Sequence, residues 1–153
     1  MSDGLDAIDD AFLRLRRLWT ASRHRILNDG GAPVELSSLL VVEACVRCRE
    51  EGREANISDV ALLADVAPST ASRLVDTAES AGLLRRRPSG RSARQTALEL
   101  TLTGEALRAR AVTARTGWLA DQLSSWDPAD VDHFGRLLGR FADQVGPNRP
   151  LRP

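Results

Sequence analysis

Arginine is concentrated in one short stretch of this 153-residue chain. No acidic residue lies between Leu83 and Leu98, and that interval holds five guanidinium groups: Arg85, Arg86, Arg87, Arg91 and Arg94. A guanidinium group is planar and matches two phosphate oxygens at once, and it also enters narrow nucleic-acid grooves. The stretch therefore favours contact with a polyanionic backbone. The plainer alternative is that these charges only keep an exposed edge hairpin soluble.

A second polar set precedes the arginines, on a predicted helix that begins at Pro68. The fixed φ of proline suits a first helical position. Four apolar residues at i, i+3, i+4 and i+7 form the face that must be buried: Ala71, Leu74, Val75 and Ala78. The exposed N-terminal half carries groups that could meet base edges in a major groove: Ser69, Thr70, Ser72 and Arg73.

The surrounding patterns predict the elements that would hold both sets. A scaffold helix over 57–64 begins at a Ser58 cap, and Gly82 ends the helix that follows it. Next come a strand, a turn region and a return strand, at 84–87, 88–90 and 96–101. This order predicts a winged helix-turn-helix over about residues 37–101.

Charge is distributed unevenly along the chain. From Pro68 to Arg94, six arginines face two acids, a net charge of +4 in a chain whose formal net charge is zero. Zero net charge argues against a protein that coats nucleic acid through bulk charge. The binding surface is therefore predicted to be local.

Long helices are predicted on either side of this module, within a single domain over 1–145. Their approximate bounds are 5–27, 102–124 and 127–145, and residues 146–153 are expected to form a flexible tail. Thr101 caps the middle one, and Asp127 with Pro128 starts the last. A further buried helix is predicted to begin at Ser37 or Ser38 and to end before Gly52.

The first and last helices each carry a narrow apolar seam with spacings of 3 and 4 residues. The first seam contains Leu5, Ile8, Phe12, Leu15 and Trp19, and the last contains Val131, Phe134, Leu138, Phe141 and Val145. Such seams pack against another helix. We expect these two helices to form a homodimer interface; the alternative is an intrachain pair in a monomer.

The remaining reactive residues do not predict catalysis. Cys45 and Cys48 are two ligands at most, too few for structural zinc, so we expect inert core thiols, with redox sensing or an intersubunit metal as the alternatives. His24 and His133 have no nucleophile or acid partner in their sequence context. We expect no enzyme activity, no metal and no cofactor.

The chain has three tryptophans, Trp19, Trp118 and Trp126. They could line a ligand cavity between the terminal helices and the winged module, but core or interface positions are the simpler interpretation. The apolar runs are too short for a membrane span, and the start of the chain is acidic, so a cytoplasmic location is expected.

The ordered motifs together resemble the MarR (multiple antibiotic resistance regulator) family of winged-helix transcription factors. The resemblance spans nearly the whole chain and includes the recognition-helix run 68–76, Ala81-Gly82-Leu83-Leu84-Arg85 and Leu100-Thr101-Leu102-Thr103-Gly104. It implies a homodimer on a pseudo-palindromic double-stranded DNA operator, usually a repressor relieved by a small ligand or an oxidant. The alternative is a winged-helix module that binds protein without binding DNA.

Two residues depart from the family pattern. Arg94 stands where the family carries its wing arginine, but Ser92 stands where an aspartate is common, so the partner that would orient Arg94 is missing. Arg91 could share the minor-groove contact. Ala67 replaces a frequent serine cap, which costs the helix start about 1 kcal/mol.

Overall fold

The computed structural model describes residues 3–21, 36–90 and 95–145, with the backbone alone for residues 17–21. The described residues form six helices and one antiparallel hairpin, which confirms the predicted mainly helical, winged fold. The elements are α1 (Asp3–Ala21), α2 (Leu36–Glu50), α3 (Ile57–Ala64), α4 (Pro68–Ser80), β1 (Leu84–Pro88), β2 (Thr96–Leu100), α5 (Leu102–Gln122) and α6 (Pro128–Val145). The predicted continuation of the first helix to residue 27 and the predicted tail lie outside the described residues.

Two predicted helix starts differ from the structure: α2 is already helical at Leu36, before Ser37 and Ser38, and the Ser58 cap of α3 is wrong. Ser58 does not cap α3, because Asn56 does: its side-chain oxygen accepts from the backbone N–H groups of Ser58 and Asp59, at 2.8 and 3.3 Å. The Asp59 carboxylate accepts in return from the Asn56 backbone N–H, at 2.8 Å. This reciprocal capping box satisfies more orphan donors than a lone serine could, so it sets the boundary.

The predicted ends of α4 are confirmed. The helix begins at Pro68, and Ala67 provides no side-chain cap. At the other end Gly82 has a φ of +69°, a region that glycine enters without cost. The backbone N–H of Leu83 bonds to the carbonyl of Ala78 at 3.0 Å, which closes a Schellman motif and turns the chain directly into β1.

The wing, here meaning residues 84–100, borders the segment before α3, and Leu83, which precedes it, lies against α5. Within it, Leu84 pairs with Leu100 and Arg86 with Leu98. On one side, the N–H of Leu98 bonds to the carbonyl of Ala55 at 2.8 Å, so the segment before α3 borders β2. On the other, Gly104 of α5 lies so close to the Leu83 carbonyl that a Cβ there would overlap it.

The core is formed by the winged module and the start of α5. Its fully buried side chains include Val41, Val42, Val60, Ala71, Val75, Leu84 and Leu107. By contrast, none of the described residues of α6 is buried. Phe12 of α1 meets Phe141 of α6 with ring centroids 5.6 Å apart, yet both remain more than 40% exposed.

Within the described residues, no helix combines the length and the apolar character needed to cross a membrane.

Candidate nucleic-acid interface

The N-terminal half of α4 is presented to solvent. Ala71, Val75 and Ala78 are completely buried against the core, and this fixes the rotation of the helix about its axis. As a result Ser69, Thr70 and Arg73 are exposed and Ser72 is half-buried. The structure therefore brings the four predicted base-reading residues onto one exposed turn and a half of helix.

Arg73 is the uncompensated charge on this surface. No carboxylate in the described ranges pairs with its guanidinium group. The nearest specific interaction is made by its backbone carbonyl, which accepts from the Thr77 hydroxyl at 3.0 Å. All five donors of the guanidinium group are thus available to a ligand.

Arg86, predicted from the sequence to contact phosphate, is held within the molecule. Its guanidinium group bonds to the Asp76 carboxylate at 2.6 Å and also to the Glu79 carboxylate, and its backbone N–H donates to Glu79 at 3.1 Å. The hydrogen bond to Asp76 is the main influence that raises the pKa of Arg86. Because two acids of α4 neutralise it, the group joins the wing to α4.

The neighbouring wing arginines are also paired. Arg87 lies 2.8 Å from the Glu54 carboxylate and 3.6 Å from that of Glu99, and Arg85 lies 3.1 Å from Glu99. Hydrogen bonding to Arg85 lowers the pKa of Glu99. The +4 charge counted along the sequence omits Glu54 and Glu99, which belong to other segments, so it overstates the positive charge at the base of the wing.

Of the carboxylates that pair with Arg85 and Arg87, only Glu99 could have been predicted as a partner from the sequence. It stands opposite Arg85 in the hairpin register, as cross-strand ion pairs do. Glu54 reaches the wing only through the tertiary fold. Arg91 and Arg94 lie outside the described residues, so their groove contacts stay predictions.

The cysteines lie in the core of the winged module. Cys45 and Cys48 are buried on α2 with no disulfide between them. Burial raises the pKa of Cys45 to about 12 and that of Cys48 to about 11. Thiols held protonated in this way are poor nucleophiles and poor metal ligands. In the described part of the chain, no group of three or more potential ligands is placed to hold a metal ion.

The described tryptophans are not core residues. Trp118 and Trp126 are 47% and 45% exposed, and Trp126 packs on Phe134 with centroids 5.6 Å apart. Together with the exposed seams of α1 and α6, this favours the interface interpretation over a core one. The side chain of Trp19 lies outside the described residues.

Solved structures similar to this chain share its architecture. A MarR family protein from Bacillus stearothermophilus matches with a TM-score of 0.74 at 23% identity, over 95% of this chain and 98% of that one. The transcription regulator MarR from Oenococcus oeni matches with a TM-score of 0.57 at 19% identity, over 88% and 98%. Bordetella bronchiseptica BpsR, described with a mechanism by which 6-hydroxynicotinic acid regulates its DNA binding, matches with a TM-score of 0.61 at 17% identity, over 89% and 98%.

No family model and no curated protein matches the sequence. The structural matches extend over nearly the full length of both partners, so they include the terminal helices as well as the winged module. The chain therefore has the fold of the MarR family.

Proposed function

We propose that this chain is a sequence-specific, DNA-binding transcriptional regulator. The observation that carries the proposal is the exposed start of α4, where Arg73 has no internal partner among the described residues and Ser69 and Thr70 lie beside it. Hydroxyl and guanidinium groups on a solvent-facing helix N-terminus suit base edges in a major groove. The fold shared with Bordetella bronchiseptica BpsR, described as binding DNA, and with the transcription regulator MarR from Oenococcus oeni supports the same assignment.

We propose further that it acts as a homodimer. Helix α6 has no buried residue, and its seam residues Phe134, Leu138 and Phe141 are 41–49% exposed. An apolar stripe of this length is unfavourable in water and is normally covered by another helix. A two-fold dimer would present two copies of α4 to successive major grooves, and its operator would be pseudo-palindromic.

Regulation by a small molecule is the remaining part of the proposal. Bordetella bronchiseptica BpsR is described as regulated by 6-hydroxynicotinic acid, which supports a ligand-relieved repressor here without naming the ligand. The protonated, buried thiols argue for a ligand rather than an oxidant as the signal.

Selection of bound fragments from a random DNA pool tests the function directly. An enriched pseudo-palindrome is expected, with half-sites one helical turn apart. Affinity for it should fall by orders of magnitude between about 50 and 200 mM salt, because phosphate contacts release counterions. Absence of DNA binding at low salt would contradict the proposal and favour a protein-binding winged helix.

Sedimentation tests the dimer separately. The wild-type chain should sediment as a dimer at micromolar concentration, and Leu138→Asp, which places a charge in the α6 seam, should shift it towards monomer. Arg140→Glu is the matched control, because Arg140 is exposed on the same helix outside the seam. A wild-type monomer would contradict this part of the proposal.

A further inference from the structure

Glu54 is an acid that no part of the proposed DNA contact requires, yet it makes three bonds to the wing. Its carboxylate accepts from the Ser89 hydroxyl at 2.5 Å and from the Gly90 backbone N–H at 3.2 Å. It also pairs with the Arg87 guanidinium group at 2.8 Å. The Ser89 hydrogen bond is the main influence that lowers the pKa of Glu54.

The backbone around Glu54 is fixed on both sides. Ala55 is bridged to Leu98 of β2, so the segment between α2 and α3 runs alongside the wing. On the preceding residue, the Arg53 guanidinium group points to α3 and pairs with Asp59 at 2.5 Å. With its neighbours held in this way, the Glu54 side chain has little freedom and lies 22% exposed against the hairpin.

The hydrogen bonds of Glu54 are made to the residues at which the first described part of the wing ends. Ser89 and Gly90 are the last described residues before Arg91, and the Ser89 N–H also bonds to the Gln95 carbonyl at 2.9 Å across the hairpin. The carboxylate therefore holds the hairpin at Ser89 and Gly90, directly before Arg91 in the sequence.

We propose that Glu54 is a positioning residue that orders the wing for DNA. A wing held in place before binding loses less conformational entropy when it contacts DNA, so affinity rises without any contact from Glu54 itself. The inference rests on the proposed DNA-binding function.

The two effects of removing this charge have opposite signs. If Glu54 were only a negative charge near a polyanion, its neutralisation would strengthen DNA binding. If it positions the wing, the Glu54→Gln substitution should weaken binding, because an amide has a single acceptor oxygen and cannot accept from all three donors. A decrease in affinity is thus a result that bulk electrostatics does not produce.

Glu51→Gln is the matched control for Glu54→Gln. Glu51 lies in the same connection, is exposed, and pairs with Arg53 at 2.6 Å rather than with the wing. Both variants remove one negative charge from the same loop, and Arg53 keeps Asp59 in the control. For the selected operator, affinity should fall about tenfold in Glu54→Gln and stay the same or rise slightly in Glu51→Gln.

Hydrogen exchange gives a second measurement that needs no DNA. The Gly90 amide should exchange faster in Glu54→Gln and not in Glu51→Gln, while amides paired between β1 and β2 keep their protection and show that the variant is folded. If the wild-type chain binds no DNA, the proposed function fails and this inference with it. If it binds and the two variants behave alike in affinity or in Gly90 exchange, the inference alone is overturned.

Discussion

Replacing Arg86 by alanine should destabilise the fold while leaving the salt dependence of DNA binding unchanged. The structure holds this guanidinium group between Asp76 and Glu79, with 30% of its side chain exposed. A phosphate contact, as the sequence predicts, would behave in the opposite way. The substitution therefore decides between two roles for one residue.

The magnitude follows from the exposure of the two partners. A hydrogen bond to a charged group contributes about 1.5 to 3 kcal/mol when buried, and an exposed ion pair about 0.2 to 1 kcal/mol. Glu79 is 35% exposed and Asp76 60%, so both pairs belong towards the lower range. Truncation also leaves two acids of α4 near each other without their cation. We expect a loss of about 1 to 2 kcal/mol in the free energy of unfolding.

Urea denaturation at fixed protomer concentration measures this loss. With a slope of about 2 kcal/mol per molar, the midpoint should fall by roughly 0.5 to 1 M. Arg73→Ala is the comparison, because Arg73 is exposed and has no partner among the described residues. Its free energy of unfolding should stay within about 0.5 kcal/mol of wild type. Its free energy of operator binding should become weaker by about 1 to 3 kcal/mol per half-site.

The salt dependence of DNA binding tests whether Arg86 contacts phosphate. Loss of one phosphate contact reduces the slope of log K against log salt by about 0.9, and by about twice that in a symmetric dimer. For Arg86→Ala the slope should equal that of wild type even if looser wing placement lowers the affinity. An unchanged urea midpoint together with a smaller slope would show that Arg86 contacts phosphate and that the internal pairing is unimportant.

Three further predictions concern packing at two glycines, thiol reactivity and stability at alkaline pH. Gly104→Ala should lower the free energy of unfolding by about 1 to 3 kcal/mol or more, because its Cβ would overlap a backbone carbonyl. Gly117→Ala, on the same helix, meets nothing within 4 Å and should raise the free energy of unfolding by about 0.5 to 1 kcal/mol. Thermal unfolding of the two variants measures the difference. Cys45 and Cys48 should resist a thiol reagent at pH 8 in the folded protein and react at once in urea, and peroxide should leave DNA affinity unchanged. Folding raises the pKa of both thiols, so the protonated thiols stabilise the folded state fully below the ordinary thiol pKa of about 9. This stabilisation is lost as the pH rises towards 11 to 12. Unfolding curves measured at alkaline pH would detect the loss.

Local signals predicted most of the element boundaries. Pro68, Gly82 and Thr101 act within one helical turn of themselves, through a fixed φ, a positive φ and a side-chain cap, so they operate at their positions regardless of the rest of the chain. The exception at α3 is also local: Ser58 is the predicted cap, but Asn56, two residues earlier, caps the helix instead. The hydrogen bond that the Asn56 N–H donates to the Asp59 carboxylate completes the capping box and makes Asn56 the cap.

By itself, the sequence was sufficient to predict the winged helix-turn-helix, the exposed face of α4 and the apolar seams of the terminal helices, because periodicity and caps depend on residues a few positions apart. Only the tertiary structure decided which of the described wing arginines are paired with acids. Arg86 and Arg87 are neutralised by acids from α4, from β2 and from the segment before α3, and Glu54 is 33 positions from Arg87 along the chain. A charge sum over a segment cannot include such partners, since ion pairing depends on distance in space and not on separation in sequence.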